Sequence, residues 1–117
     1  MLDHATDLSS LLKRPDLLRE RAFCAGRWVS AASGKTFEVV NPARGDVVAR
    51  VADLGREEVR EAIGAAHAAQ KAWAARTAKD RAAILRRWAD LMVQNADDLA
   101  VIMTAEQGKP LAESRGE

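Results

Sequence analysis

The stretch TAEQGKPLAESRGE, from Thr104 to Glu117, carries the clearest structural signals in this chain of 117 residues. Gly108 stands where a helical pattern stops, and glycine readily adopts the left-handed conformation that closes many helices. Pro110 suits the first turn of a new helix, because its fixed φ is helical and its missing N–H is not needed there. The pattern predicts one helix that ends at Gly108 and another that begins just before the last residues, as in the opening segment of a longer protein.

Two antiparallel hairpins are predicted upstream, after an N-terminal arm. Residues 1–21 form the arm, where leucines at helical spacing are interrupted by Pro15 and indicate two short helical turns. Residues 22–52 contain strand-like runs broken at Gly26 and again at the NPARG sequence of residues 41–45. Glycine tolerates the positive φ of a tight turn and proline favours the second turn position, so each break predicts a turn between paired strands.

Residues 56–117 change to a helical period and predict three to four helices. Thr77 and Asp80 have the spacing of a capping box, which predicts that a helix starts there. We expect the apolar stripes of the first two long helices to be buried in a longer protein and to stay partly exposed in this chain alone, and the tryptophans to be core anchors. The first stripe contains Val59, Ile63, Ala66 and Trp73. The second contains Ile84, Leu85, Trp88, Leu91 and Met92. As it stands, the chain is predicted to be an α+β segment.

The composition is that of a soluble globular segment, one domain at most, with a net charge of +1. Basic residues alternate with acidic ones, so no stripe suited to nucleic acid is present and no nucleic-acid partner is expected. Apolar runs are far shorter than the roughly 18 to 20 residues of a membrane span, so no membrane association is expected. The single cysteine cannot form an internal disulfide, which agrees with a cytoplasmic location.

Few residues are candidates for chemistry. Cys24 lies in a predicted strand without a neighbouring histidine, so we expect a small packed hydrophobe and not a nucleophile. His67 lies in the middle of a helix and His4 in the arm, and neither has further ligands at metal-binding spacing. Glu106 and Glu113 are expected to be solvated or to cap helices. No catalytic or cofactor-binding residue is therefore assigned.

Two nucleotide-binding motifs do not match. A phosphate loop ending at Gly108-Lys109 would need glycine at position 103 and serine or threonine at position 110, where the sequence has Met103 and Pro110. No two glycines have the GxG spacing of the dinucleotide fingerprint either. The residues themselves therefore predict no nucleotide site.

Three blocks of sequence stand in order along the chain. They are AFCAGRWVSAASGKTFEVVNPARGDVVARV (22–51), AWAARTAKDRAAILRRWADLM (72–92) and TAEQGKPLAESRGE (104–117). Together they resemble the aldehyde dehydrogenase family, and within it the succinate-semialdehyde dehydrogenases. The resemblance implies an α/β fold in which residues 1–117 are the incomplete N-terminal part of the cofactor-binding domain.

The same resemblance implies oxidation of an aldehyde to a carboxylic acid with NADP or NAD as cofactor. In the family the reaction passes through a cysteine thiohemiacetal, hydride transfer and thioester hydrolysis. The nucleophilic cysteine, the general-base glutamate, the oxyanion-stabilising asparagine and most cofactor contacts would follow Glu117. We therefore expect this chain alone to be inactive.

The resemblance also implies a cation site. Some members hold a structural monovalent cation with main-chain carbonyls, and the matching carbonyls here belong to Val40 and Glu106. Carbonyl oxygens suit a hard cation and need no particular side chain. The sequence therefore neither supports nor opposes this site.

The role implied for this segment is structural support, with helices that cover the sheet of the cofactor domain. Its implied partners are the rest of the dehydrogenase domain and other subunits of a homo-oligomer. Two alternatives stay open: a free-standing helical module that binds a protein partner, and a nonfunctional truncated reading frame. Whether the coding sequence continues and supplies the cysteine and glutamate would distinguish them.

Overall fold

The structure is a computed structural model and describes residues 7–117. Two short 3-10 turns come first, at Leu8–Leu11 and Pro15–Leu17. The strands are β1 (Ala22–Cys24), β2 (Arg27–Val29), β3 (Thr36–Val40) and β4 (Val47–Ala52). The helices are α1 (Arg56–Ala75), α2 (Ala78–Gln94), α3 (Ala96–Gln107) and α4 (Leu111–Ser114). The predicted order of turns, hairpins and helices is confirmed, although Pro15 begins the second turn and does not interrupt the first.

Each hairpin forms its own two-stranded antiparallel sheet. In the first, the loop is Ala25-Gly26, with φ values of 50° and 78°. Positive φ at both loop residues is what a type I′ turn requires, and glycine adopts it without a steric penalty. The turn pairs Phe23 with Trp28 across the strands, and their ring centroids are 5.0 Å apart.

Local signals set the ends of the helices. The hydroxyl of Thr77 accepts the N–H of Asp80 at 3.1 Å, which confirms the predicted start of α2. Gly108 has a φ of 83° and donates its N–H to the carbonyl of Thr104 at 3.0 Å, so α3 ends where the sequence predicts. Pro110 directly precedes α4. Within the described residues, no helix combines the length and apolar character needed to span a membrane.

The chain divides into two compact units. The first unit comprises the described residues up to Glu20 together with Phe37–Val51 and Asn95–Glu117. Its buried residues are Leu8, Leu12, Ala49, Asp98, Ala100 and Ser114. The first 3-10 turn and α4 both pack against α3. The hydroxyls of Thr104 and Ser114 join these two helices at 2.9 Å.

The second unit comprises Arg21–Thr36 and Ala52–Gln94, and thus contains the first hairpin, α1 and α2. Ala31 is buried there, whereas neither long helix contains a buried residue. Glu58 joins α1 to the loop after β2. One carboxylate oxygen accepts the N–H of Gly55 at 2.7 Å and the other accepts the N–H of Ala32 at 2.6 Å. The hydrogen bond from Gly55, and to a smaller extent that from Ala32, lowers the pKa of Glu58.

The apolar stripes are exposed in the chain as it stands, as expected for a segment without the sheet that would cover them. All five members of the α2 stripe are exposed, Trp88 to 59% and Leu85 to 51%. Trp28 is also exposed, Trp73 is half-buried, and Val59 and Ile63 on α1 face solvent. Helical periodicity identifies which face of a helix is apolar, but it does not supply the surface that covers this face.

Candidate functional site

Cys24 lies in a shallow cleft of the second unit and is partly buried. The cleft has a volume of about 300 Å³ and is also lined by Arg27, Glu58 and Glu61. Arg27 is the cross-strand partner of Cys24. Sequence reasoning missed this neighbouring charge, although a two-residue hairpin loop places residues 24 and 27 opposite each other.

The groups that line the cleft bear on whether the thiol of Cys24 could be activated. None of its lining residues within the described second unit is a histidine that could take the thiol proton. Both carboxylate oxygens of Glu58 already accept backbone N–H groups. Glu61 also lines the cleft, and the role of Cys24 as a packed side chain stays a prediction.

The histidines offer no metal centre in the part of the chain that the structure describes. His67 is exposed on α1, and His4 lies outside the described residues. Across residues 7–117, no group of three His, Cys, Asp or Glu side chains could hold a metal ion.

The two predicted carbonyl ligands flank well-defined turns of the first unit. Val40 is the last residue of β3 and Glu106 lies in the last turn of α3. After Val40, the side-chain oxygen of Asn41 accepts the N–H of Ala43 at 2.9 Å and that of Arg44 at 3.3 Å. These bonds fix the turn by the asparagine side chain itself, as is typical of Asx turns.

The turn after β3 contacts the end of α3. A Cβ atom added at Gly108 would lie 2.9 Å from Cγ of Pro42, closer than side chains normally approach. Each contacting residue lies two positions after one of the predicted carbonyl ligands. The structure therefore brings together the two chain segments that carry Val40 and Glu106, which the sequence separates widely.

The end of α3 also has the electrostatics that a cation prefers. The last four carbonyls of a helix lack partners inside the helix, and the carbonyl of Glu106 is one of them. Of these four, the carbonyl of Thr104 is taken by Gly108. The C-terminal end of a helix carries a partial negative charge, which favours a nearby cation.

Glu113 lies on α4 and is exposed.

Comparison with known proteins gives consistent matches. The chain is 56% identical over 106 residues to the 3-sulfolactaldehyde dehydrogenase of Pseudomonas putida, covering 91% of this chain and 22% of that protein. It is 53% identical over 106 residues to a glutarate-semialdehyde dehydrogenase of the same species, with the same coverage. It is 50% identical over 106 residues to the NADP(+) succinate-semialdehyde dehydrogenase of Escherichia coli K12, again covering 91% and 22%.

Solved structures agree. The aldehyde dehydrogenase of Brucella melitensis biovar abortus 2308 superposes with a TM-score of 0.87 at 51% identity, over 99% of this chain and 22% of that one. The succinate-semialdehyde dehydrogenase of Burkholderia pseudomallei gives a TM-score of 0.86 at 53% identity, over 90% and 22%. The chain thus spans about 22% of the length of these relatives. Residues 28–117 match the aldehyde dehydrogenase family, and this chain belongs to that family as an N-terminal segment.

Proposed function

We propose that this chain is the structural N-terminal segment of an enzyme that oxidises an aldehyde to a carboxylic acid with NADP or NAD. Identities of 50 to 56% to three dehydrogenases support the activity of the whole enzyme. The exposed stripe of α2 carries the structural role, because a stripe that is apolar at helical spacing is normally covered. We assign its cover to the rest of the dehydrogenase domain.

Succinate semialdehyde is the substrate that we propose to test first. The three relatives are named for 3-sulfolactaldehyde, glutarate semialdehyde and succinate semialdehyde, and each of these is an aldehyde that also carries an acidic group. The E. coli relative is named for NADP(+), whereas a betaine aldehyde dehydrogenase of Staphylococcus aureus was solved with NAD+. Both cofactors therefore belong in the assay.

A homo-oligomer in the cytoplasm is the setting that we propose for the whole enzyme.

A chimera tests the proposal directly. This chain would replace the matching N-terminal segment of the E. coli succinate-semialdehyde dehydrogenase, to which it is 50% identical. We expect the chimera to be soluble and to reduce NADP in the presence of succinate semialdehyde. A soluble, folded chimera without activity would contradict the proposed role.

The chain alone serves as the matched negative control. Covalent catalysis needs an activated thiol beside an oxyanion site, and no histidine that could activate the thiol lines the cleft at Cys24. We expect no aldehyde-dependent reduction of NAD or NADP by the pure chain. In the chimera, Cys24→Ser should leave activity intact. Activity of the chain alone that disappears in Cys24→Ser would overturn this assignment.

A free-standing module that binds a protein partner is the competing function, and the exposed stripe of α2 is the observation that favours it. Such a module would fold by itself and would not restore activity in the chimera. The structural segment would restore activity in the chimera and would not form a complete fold by itself. Activity of the chimera and the folding of the chain alone therefore separate the two.

We further propose that the carbonyls of Val40 and Glu106 contribute to a monovalent cation site. The contact between Gly108 and Pro42 supports it, because it holds the two segments side by side. Replacing choline chloride by sodium or potassium chloride at equal ionic strength should raise the melting temperature of the chimera. Gly108→Ala should remove this increase, whereas Gly26→Ala, which has open space around it, should keep it. An equal melting temperature in all three salts would contradict the site.

A further inference from the structure

Asp98 is a buried carboxylate with partners far away in the sequence. Its side chain is in α3, and the residue is only 5% exposed. One oxygen accepts the backbone N–H of Lys13 at 3.0 Å and the other accepts that of Arg14 at 2.7 Å. A buried charge is costly unless its oxygens are hydrogen-bonded, so this geometry indicates a specific structural task.

The residues that donate these bonds belong to a segment that also packs on α3. We name residues 8–17, which include both 3-10 turns, the N-terminal strap. The first turn contacts α3, and the strap buries Leu8 to 4% exposure and Leu12 to 7%. These are the largest of the buried apolar side chains in the described part of the chain. Apolar and polar contacts of the strap are thus combined in one small region.

The strap depends on these contacts for its order. Its two turns contain four and three residues, and helical segments this short are not stable by themselves in water. The hydrogen bond from Leu18 to Pro15 and that from Leu12 to Ser9 only close the individual turns. The two bonds to Asp98 lie between the turns and join them to α3.

We propose that Asp98 is a positioning residue that closes the N-terminal strap onto α3, and that the strap opens as one unit when this carboxylate is lost. Opening would expose Leu8 and Leu12 while α3 keeps its own hydrogen bonds and its contact with α4. The strap is then a conformational device of the first unit: a segment that can detach without unfolding the helix that it covers.

Asp97 provides a matched control on the same helix. Its carboxylate lies 3.5 Å from Nζ of Lys13 and 3.3 Å from Nε of Arg115, and its side chain is 60% exposed. Exposed ion pairs of this kind contribute little to stability. Removing either negative charge would weaken the start of α3 similarly, because both residues lie in its first turn. Only Asp98 also binds the strap through backbone N–H groups.

Hydrogen exchange measured by mass spectrometry on the full chain tests the proposal. In Asp98→Asn, we expect amides of residues 8–14 to lose protection by roughly tenfold or more, since bonds to a charged acceptor are replaced by a side chain with one acceptor oxygen. Protection in residues 96–107 should change much less, and Asp97→Asn should preserve both segments. Unchanged protection of residues 8–14 in Asp98→Asn, or equal losses in Asp98→Asn and Asp97→Asn, would overturn the proposal.

The unsubstituted chain provides a second measurement that does not depend on how well the variants fold. In increasing urea, residues 8–14 should begin to exchange at lower concentration than residues 96–107, because the strap opens first. Identical urea dependence of both segments would show that strap and helix unfold together and would likewise overturn the proposal.

Discussion

The two units of the chain differ in how they use their apolar residues. The first unit buries leucines and alanines, and both the strap and α4 contact α3. The second unit contains the two longest helices, yet neither buries a single residue and the stripe of α2 is exposed. Short elements with weak local signals are thus packed, whereas long and strongly periodic helices are open. Helix formation and burial therefore have different origins in this molecule.

Trp88→Ala should give the largest effect, and it should do so only where α2 is covered. In the chimera, loss of a buried tryptophan ring typically costs about 3 to 5 kcal/mol. In the chain alone, where Trp88 is 59% exposed, the loss should be far smaller. Thermal or urea unfolding of both proteins measures the difference.

Arg86→Ala is the control for this comparison, since Arg86 lies on the exposed polar side of the same helix. It should change stability little in either protein. An equal, small effect of Trp88→Ala in the chimera and in the chain would show that the rest of the enzyme does not cover α2.

Gly108→Ala should have the next largest effect and should disturb the first unit. A left-handed conformation costs a residue other than glycine about 1 to 2 kcal/mol. The added methyl group would also press on Pro42, at 2.9 Å from its Cγ. Gly26→Ala has nearly the same φ but nothing within 4 Å, so it isolates the conformational cost. Urea unfolding should show Gly108→Ala to be the more destabilised, and equal losses would mean that the contact with Pro42 is unimportant.

Element boundaries were predictable because local residues determine them. Thr77 caps α2, Gly108 ends α3 and Gly26 closes the first hairpin, each by its own conformation or hydrogen bond. How far Trp88 is covered does not follow from helical periodicity, because it depends on a surface that periodicity does not describe. The two hydrogen bonds from the strap to Asp98 were not predictable either, because Lys13 and Arg14 lie far from Asp98 in the sequence.

The predicted cation ligands show the same difference between features that local residues determine and features that depend on tertiary contacts. Val40 and Glu106 follow from the family resemblance, and no pattern in the residues would place them together. The two segments that carry them are brought side by side by the tertiary contact between Pro42 and Gly108. Main-chain ligands leave no mark in the sequence, so tertiary structure is needed to judge them.

Glu58→Gln should give the smallest effect, confined to the second unit, present at neutral pH and fading as the pH falls. Its pKa in the folded chain is lowered from the ordinary value of 4.5 by the N–H groups of Gly55 and Ala32. A lowered folded pKa means that the stabilisation is present above 4.5 and is lost as the pH falls through the lower folded value. Glu58→Gln should therefore lower stability at neutral pH and flatten the decrease below pH 4.5.

Glu57→Gln is the control for the acid response. Glu57 pairs with Arg60 at 3.1 Å on the surface of α1, and both side chains are well exposed. Melting temperatures measured between neutral pH and about pH 3 should follow the unsubstituted chain in Glu57→Gln. The same curve in Glu58→Gln would mean that its bonds to Gly55 and Ala32 do not stabilise the fold.

Scanning calorimetry of the chain alone tests most directly whether the second unit needs the rest of the enzyme. A complete domain absorbs about 0.7 kcal/mol per residue on unfolding, which is about 80 kcal/mol for a chain of 117 residues. Because the long helices bury no residue, we expect a broad transition with an enthalpy well below that value. A sharp, reversible transition of a monomer with the full enthalpy would contradict the structural-segment assignment and would favour an independently folded interaction module.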